Sequence, residues 1–220
     1  MKVVAVIPMK LNNSRLPGKN IKPFTNGEPL CKYIQKTMLN VHRIDQIYVY
    51  CSNDAIKQYL EEGVEYLPRP TSLDTDQTSM TDVLQSFARE VDANIYVMSH
   101  TTAPFISSES IQKGLDAVLS GEYDSSFAVT KMQDFLWDSK KPLNYSLDSI
   151  PRTQDLPPIF VESSGFYIYT RKVITELNRR IGLCPKMIEI KGHEAIDIDE
   201  MEDFIIADAW FNYISKKNLV

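Results

Sequence analysis

The feature that most constrains this chain is the alternation of short apolar runs with helical spacings over about its first 130 residues. It begins with Val3-Val4-Ala5-Val6-Ile7, a run rich in β-branched residues that reads as a strand buried on both faces. Leu30, Ile34, Met38 and Leu39, placed just after Pro29, predict an amphipathic helix. Ile47–Cys51 predicts a second strand, and Ser52-Asn53-Asp54 a cap for a helix over Ala55–Glu62 that Gly63 closes. A third strand over Val64–Leu67 is followed by a polar loop, Thr71–Thr78, and by a helix opened by Ser79 or Thr81. Asn94–Met98 and Ser126–Thr130 predict further strands, with a helix through Ile111, Leu115 and Val118 between them. Strand and helix in alternation specify a parallel sheet with right-handed crossovers, which puts the loops after the strands on one rim.

From Lys131 to about Pro158 this rhythm fails. Lys140-Lys141-Pro142, Asn144–Ser149 and Pro157-Pro158 predict irregular turns and a hairpin, yet the stretch is rich in large apolar side chains, Phe135, Trp137 and Leu143 among them. So long an aperiodic segment in a compact chain is usually functional or an interface. Strand character returns at Phe166–Tyr169, then a helix over Val173–Arg179, an edge strand at Met187–Ile190 and a closing helix over Glu202–Ile214. At 220 residues the expectation is a single domain, 1–220, with a full core and an insertion at 131–169. A net charge of −5 argues against a general nucleic-acid binder but leaves room for a local basic pocket. Cys31, Cys51 and Cys184 are odd in number and far apart, which fits reduced thiols in the cytoplasm. No leader-like segment precedes the first strand and no apolar run approaches a membrane span, so neither export nor a membrane partner is expected.

Two groups can do chemistry. The loop after the first strand carries Lys10, Arg15 and Lys19, three asparagines (Asn12, Asn13, Asn20) and the turn signal Pro17-Gly18. It matches neither GxxxxGK[ST] nor GxGxxG. A basic loop is also what a solvated turn looks like, but cations and free N–H groups at the carboxyl end of a buried strand make an anion cradle. The second group is Asp197-Ile198-Asp199. In an extended segment both carboxylates share a face and suit Mg²⁺, which takes its other oxygens from water and a substrate phosphate. From spacing alone, Asp199 serves equally well as the cap of the closing helix. Arg69 is likewise either a ligand contact or the partner of an acid on the rim.

The run Ile7-Pro8 … Ser14-Arg15-Leu16-Pro17-Gly18-Lys19-Asn20, with the late Asp197-Ile198-Asp199, resembles the acylneuraminate (CMP-sialic acid) cytidylyltransferases nearly end to end. The resemblance implies a three-layer α/β fold with a mostly parallel, Rossmann-like sheet of the nucleotide-diphospho-sugar transferase type. It also implies nucleotidyl transfer, in which the hydroxyl of an acidic, sialic-acid-like sugar attacks the α-phosphorus of CTP and pyrophosphate leaves. Lys10, Lys19 and Asp199 are the implied catalytic groups. Asn13, Asn20, Ser52, Arg69 and Asp76 join Lys10 and Lys19 on the nucleotide, and Asp197 and Asp199 hold Mg²⁺. On the acceptor side stand His100, Thr102, Arg152, Gln154, Glu162 and Ser163, with Arg152 meeting the sugar carboxylate. Here the sequence departs from the family pattern: His100 replaces a Gln, Ile106 an Arg and Ser163 an Asn, while Lys10 stands where Arg is usual and Gln77 where Thr is. These changes leave three readings open: a nonulosonic acid as acceptor, a shorter 3-deoxy-ulosonic or other acid, or a binding protein without turnover. The resemblance also implies a homodimer, in which the 131–169 insertion reaches the neighbour's acceptor pocket.

Overall fold

The computed structural model describes residues 1–217. Its sheet has seven strands: β1 (Val3–Met9), β2 (Gln46–Cys51), β3 (Val64–Pro68), β4 (Ile95–Met98), β5 (Ser125–Met132), β6 (Ile159–Thr170) and β7 (Pro185–Glu189). They lie in the order β3-β2-β1-β4-β6-β5-β7. Only β6 runs antiparallel, to β4 on one side and β5 on the other. The helices are α1 (Leu30–Leu39), α2 (Met80–Glu90), α3 (Ser108–Leu119), α4 (Arg171–Thr175) and α5 (Met201–Lys216).

Strand β1 shows why the molecule has three layers. All seven of its residues are buried, and alternate side chains enter opposite cores. Val3, Ala5 and Ile7 pack with Ile34 and Met38 of α1 and Ile111 and Leu115 of α3. Val4 and Val6 pack with Leu84 and Phe87 of α2 and Val173 of α4 on the other face. A third, smaller cluster joins Leu16, Phe24 and Leu30 to Ile198 and to Phe204 of α5. No helix among the described residues is long and apolar enough to cross a membrane.

Three elements differ from the sequence expectation. The helix expected at Ala55–Glu62 is a 3₁₀ turn over Asp54–Tyr59. Buried Gln35 of α1 explains this, because its amide donates to Tyr59 O at 3.1 Å and accepts from Glu61 N at 2.9 Å, occupying backbone groups a longer helix would use. The strand expected at Phe166–Tyr169 begins at Ile159, since the first four residues of β6 are exposed and carry no alternating signal. The helix expected to reach Arg179 stops at Thr175, and Asn178 then adopts a positive φ of 56°. The 131–158 stretch is irregular as expected, apart from the end of β5, a 3₁₀ turn over Thr153–Asp155 and isolated bridges such as Trp137 with Pro142.

Candidate active site

Strands β1 and β4 are parallel neighbours, and the chain leaves β1 towards β2 but leaves β4 towards the other half of the sheet. Open α/β sheets form a crevice at such a point, at the carboxyl ends of the strands. A cavity of about 340 Å³ lies there, lined by residues that follow β1, β3 and β4 and by the segment before α5.

The loop after β1 is shaped by its own sequence. Lys19 N donates to Leu16 O at 3.1 Å across Pro17-Gly18, and Gly18 has φ 69°. This is a type II turn, with proline and a positive-φ residue at its two central positions. Asn20 Nδ2 donates to Lys10 O at 2.8 Å and closes the loop. Leu16, only 5% exposed, plugs the loop into the cluster that also holds Ile198. Burying two such side chains is worth on the order of 3–6 kcal/mol, and it pins together segments about 180 residues apart. Ile198 N also donates to Thr102 O at 2.9 Å, tying the acidic segment to the loop after β4.

With Ile198 buried, Asp197 and Asp199 both line the cavity. Lys19 Nζ is buried, donates to Ile198 O at 2.6 Å and lies 3.3 Å from Asp199 Oδ1, which also takes Arg15 Nη2 at 2.8 Å. Asp199 is not the cap of α5: Glu200 stands at the N-cap, and Asp203 in the first turn bonds back to it, its Oδ2 accepting from Asp199 N and Glu200 N. These backbone bonds hold the Asp203 carboxyl below its usual range. Asp197 makes no hydrogen bond or ion pair among the described residues. Two carboxylates offering oxygen alone fit a hard cation such as Mg²⁺ that completes its shell from water and a phosphate. No cluster of three or more His, Cys, Asp or Glu residues forms among the described residues, so this is no all-protein cage.

Lys10, Asn13, Lys19, Asn20, Arg69, His100, Thr102, Asp197 and Asp199 all line this one cavity. Ser52 lies in an adjoining space of about 370 Å³, where its hydroxyl donates to Asp74 at 2.6 Å. Arg69 is buried and pairs with the same Asp74, an acid on the rim. Asp76 is exposed and faces Lys10 Nζ at 3.5 Å. Buried polar atoms of Asn13 (Oδ1), Arg69 (Nε) and Thr101 (Oγ1) have no partner among the described residues, so the cavity wall holds unmet hydrogen-bonding capacity. Burial, reinforced by the charge of Arg180, holds the His100 imidazole down to about 4, so it is neutral at pH 7.

The acceptor-side residues divide. A bulge in β6 sets Ser163 to Phe166 against the single Ala128 of β5, and such bulges re-aim side chains. As a result Ser164 lines the cavity, whereas Ser163 is buried and its hydroxyl accepts from Gly165 N at 3.3 Å. Glu162 binds Tyr167 and Arg180. Arg152 and Gln154 do not line the cavity of their own chain, and Arg152 closes on Asp155 through Nε at 2.8 Å and Nη2 at 3.0 Å. Sequence reasoning counted Arg15 among the loop cations without giving it a role, and passed over Asp74, Thr101 and Ser164. Bulge geometry and pairing across the rim leave no local pattern.

Fold and site together define a doubly wound α/β protein with a cationic loop and a carboxylate pair at the switch point of its sheet. A profile described as cytidylyltransferase matches residues 4–207. The chain belongs to the cytidylyltransferase family. It is 27% identical over 184 residues to N-acylneuraminate cytidylyltransferase of Oncorhynchus mykiss, covering 78% of this chain and 42% of that protein. The corresponding protein of Streptococcus agalactiae serotype V is 23% identical over 97% of this chain and 54% of its own length. The chain thus spans about half the length of these two relatives. Pseudaminic acid cytidylyltransferase of Campylobacter jejuni is 24% identical, with 94% and 95% covered. Among solved structures, a CMP:2-keto-3-deoxy-manno-octonic acid synthetase complexed with CTP has the same fold, with a TM-score of 0.73, 16% identity and 97% and 99% coverage.

Proposed function

We propose that this chain transfers the cytidylyl group of CTP to a hydroxyl of an acidic 2-keto-3-deoxy sugar and releases pyrophosphate. The observation that carries this reading is the closure of Lys19 and Arg15 on Asp199 inside one cavity, beside the free carboxylate of Asp197. A triphosphate entering there offers Lys19 and Arg15 anionic oxygens in exchange for Asp199. Lys10, Lys19 and the loop N–H groups then hold the leaving phosphates, as preorganised donors that need no rearrangement during reaction. Asp197 and Asp199 would hold Mg²⁺, which would supply charge neutralisation at the substrate phosphates. Asn13, Asn20, Ser52, Arg69 and Asp76 serve the nucleotide. His100, Thr102 and Ser164 serve the acceptor from the cavity wall, whereas Ser163 lies buried behind it on Gly165 N, and Arg152 and Gln154 reach the acceptor only from a second copy of the chain. Cys31, Cys51 and Cys184 are all free, which suits a reducing cytoplasm.

A second reading, a protein that binds these ligands without turnover, draws on the altered sugar side. Ile106, where the resemblance places an arginine, is 2% exposed and packed in the core. The same assay separates the two: Mg²⁺-dependent pyrophosphate release from CTP or UTP with N-acetylneuraminate, pseudaminate or 3-deoxy-manno-octulosonate. Release with CTP and one of these sugars is expected. CTP binding without release favours the second reading. Equal use of UTP removes the cytidine assignment, because cytosine and uracil exchange donor for acceptor and a matched pocket leaves the wrong base unpaired.

A further inference from the structure

We propose that Arg180 is the cation that receives the carboxylate of the acceptor, an assignment that rests on the cytidylyltransferase reading above. Arg180 follows α4, and its guanidinium lies 3.8 Å from the ring centroid of Tyr167. Its Nη2 donates to Tyr167 Oη at 3.0 Å and to Glu162 Oε1 at 3.2 Å. The ring fixes the plane of the guanidinium, while the N–H groups on Nε and Nη1 have no partner among the described residues. Glu162 thus takes only one long bond from Arg180, and a substrate carboxylate bound in the forked, two-bond manner makes one more. Displacing Glu162 does not strand it, because its carboxylate is 45% exposed to solvent and its Oε1 still accepts from Tyr167 Oη.

Position supports the same residue. Arg180 lines an open cavity of about 510 Å³ with Met80 and Thr81, and Met80 also lines the main cavity. Tyr167, on which Arg180 stacks, pairs with Met98 at the carboxyl end of β4, two residues before His100, and the Arg180 charge helps to lower the His100 pKa. Lys10, Arg15 and Lys19 are committed to the phosphate side through Asp76 and Asp199. A triphosphate and a carboxylate then meet different cations and do not compete. Arg152 is less suited within one chain: its side chain is 76% exposed and its own Asp155 already occupies the fork.

The test uses the whole purified chain with CTP, Mg²⁺ and whichever of N-acetylneuraminate, pseudaminate and 3-deoxy-manno-octulosonate supports pyrophosphate release, alongside the C1 amide of that sugar. Arg180→Ala is expected to raise the KM of the sugar by about tenfold to a hundredfold while the KM of CTP changes by less than about twofold. The variant also loses the preference of the wild type for acid over amide, and Arg180→Lys recovers part of it. A role in stability alone would not move that preference, and Arg180→Gln gives the same readout should the alanine variant fail to fold. Unchanged sugar KM and unchanged preference, with turnover intact, overturn this assignment and leave the cytidylyltransferase reading standing. A wild-type chain that releases no pyrophosphate with any of the three sugars overturns that reading, and this assignment with it.

Discussion

Asp199 takes two cations at once, Arg15 at 2.8 Å and Lys19 at 3.3 Å, and its backbone N–H is held by Asp203. So crowded a carboxylate is placed by its neighbours more than it stabilises them, since half-exposed ion pairs contribute little. Asp199→Asn is therefore expected to lower turnover by about 10²–10³, the usual effect of losing one well-placed electrostatic group. The denaturation midpoint should shift little by comparison, and full activity at moderate Mg²⁺ would remove Asp199 from the metal site. Lys19→Ala should weaken CTP binding measured by calorimetry without acceptor. At this scale Lys19, Asn20, Asp197 and Asp199 were legible because each sits in a short pattern whose geometry is local. Ser164 and Arg180 were not, because a bulge and a post-helical segment place them.

Two contacts show how closely the elements meet. A Cβ at Gly114 of α3 would lie 2.6 Å from the ring of Phe166, so glycine lets that helix sit down on the sheet. Buried Glu194 ties the turn at Gly192–Ala195 to the start of α3, accepting from Ser107 N, Ser107 Oγ, Ser110 Oγ and Lys191 N. Burial alone would raise its pKa, but these donors hold it below its ordinary value of 4.5. Ionised Glu194 therefore adds stability above pH 4.5, and that stability is lost as pH falls through the lower folded-state value. Glu194→Gln should cost about 1–3 kcal/mol at neutral pH. Urea unfolding from pH 7 to 3 should show a flatter acid limb in the variant, and parallel curves would rule the linkage out. Helix positions were readable from caps and apolar spacing, as Ser79 with its reciprocal Asp82 bond shows. The shortened segment after β2 was not, because a side chain from α1 ends it.

For the whole molecule the outstanding surface is the insertion. Trp137 is 52% exposed, Leu143 60% and Ile150 63%, and Leu147, Ile159 and Phe160 are exposed beside them in sequence. Rather than folding back onto their own sheet, these groups lie on the surface, where apolar patches mark contacts. A homodimer is the expected state, checked by light scattering at micromolar concentration; a fully active monomer would dismiss it. Mixing Arg152→Ala with Lys19→Ala subunits should restore part of the activity if Arg152 serves the neighbouring site, and failure to complement returns it to its own chain. The sequence alone determined the alternation of buried strands and amphipathic helices, the turn at Pro17-Gly18 and the facing of Asp197 and Asp199. Each of these follows from side-chain period and backbone preference within a few residues. Only the tertiary structure decided that β6 enters the sheet antiparallel between β4 and β5, that Leu16 meets Ile198, and that Arg180 stacks on Tyr167 beside the carboxyl end of β4. Those outcomes depend on contacts between residues far apart in the chain, for which no local pattern of hydrophobicity or charge carries a signal.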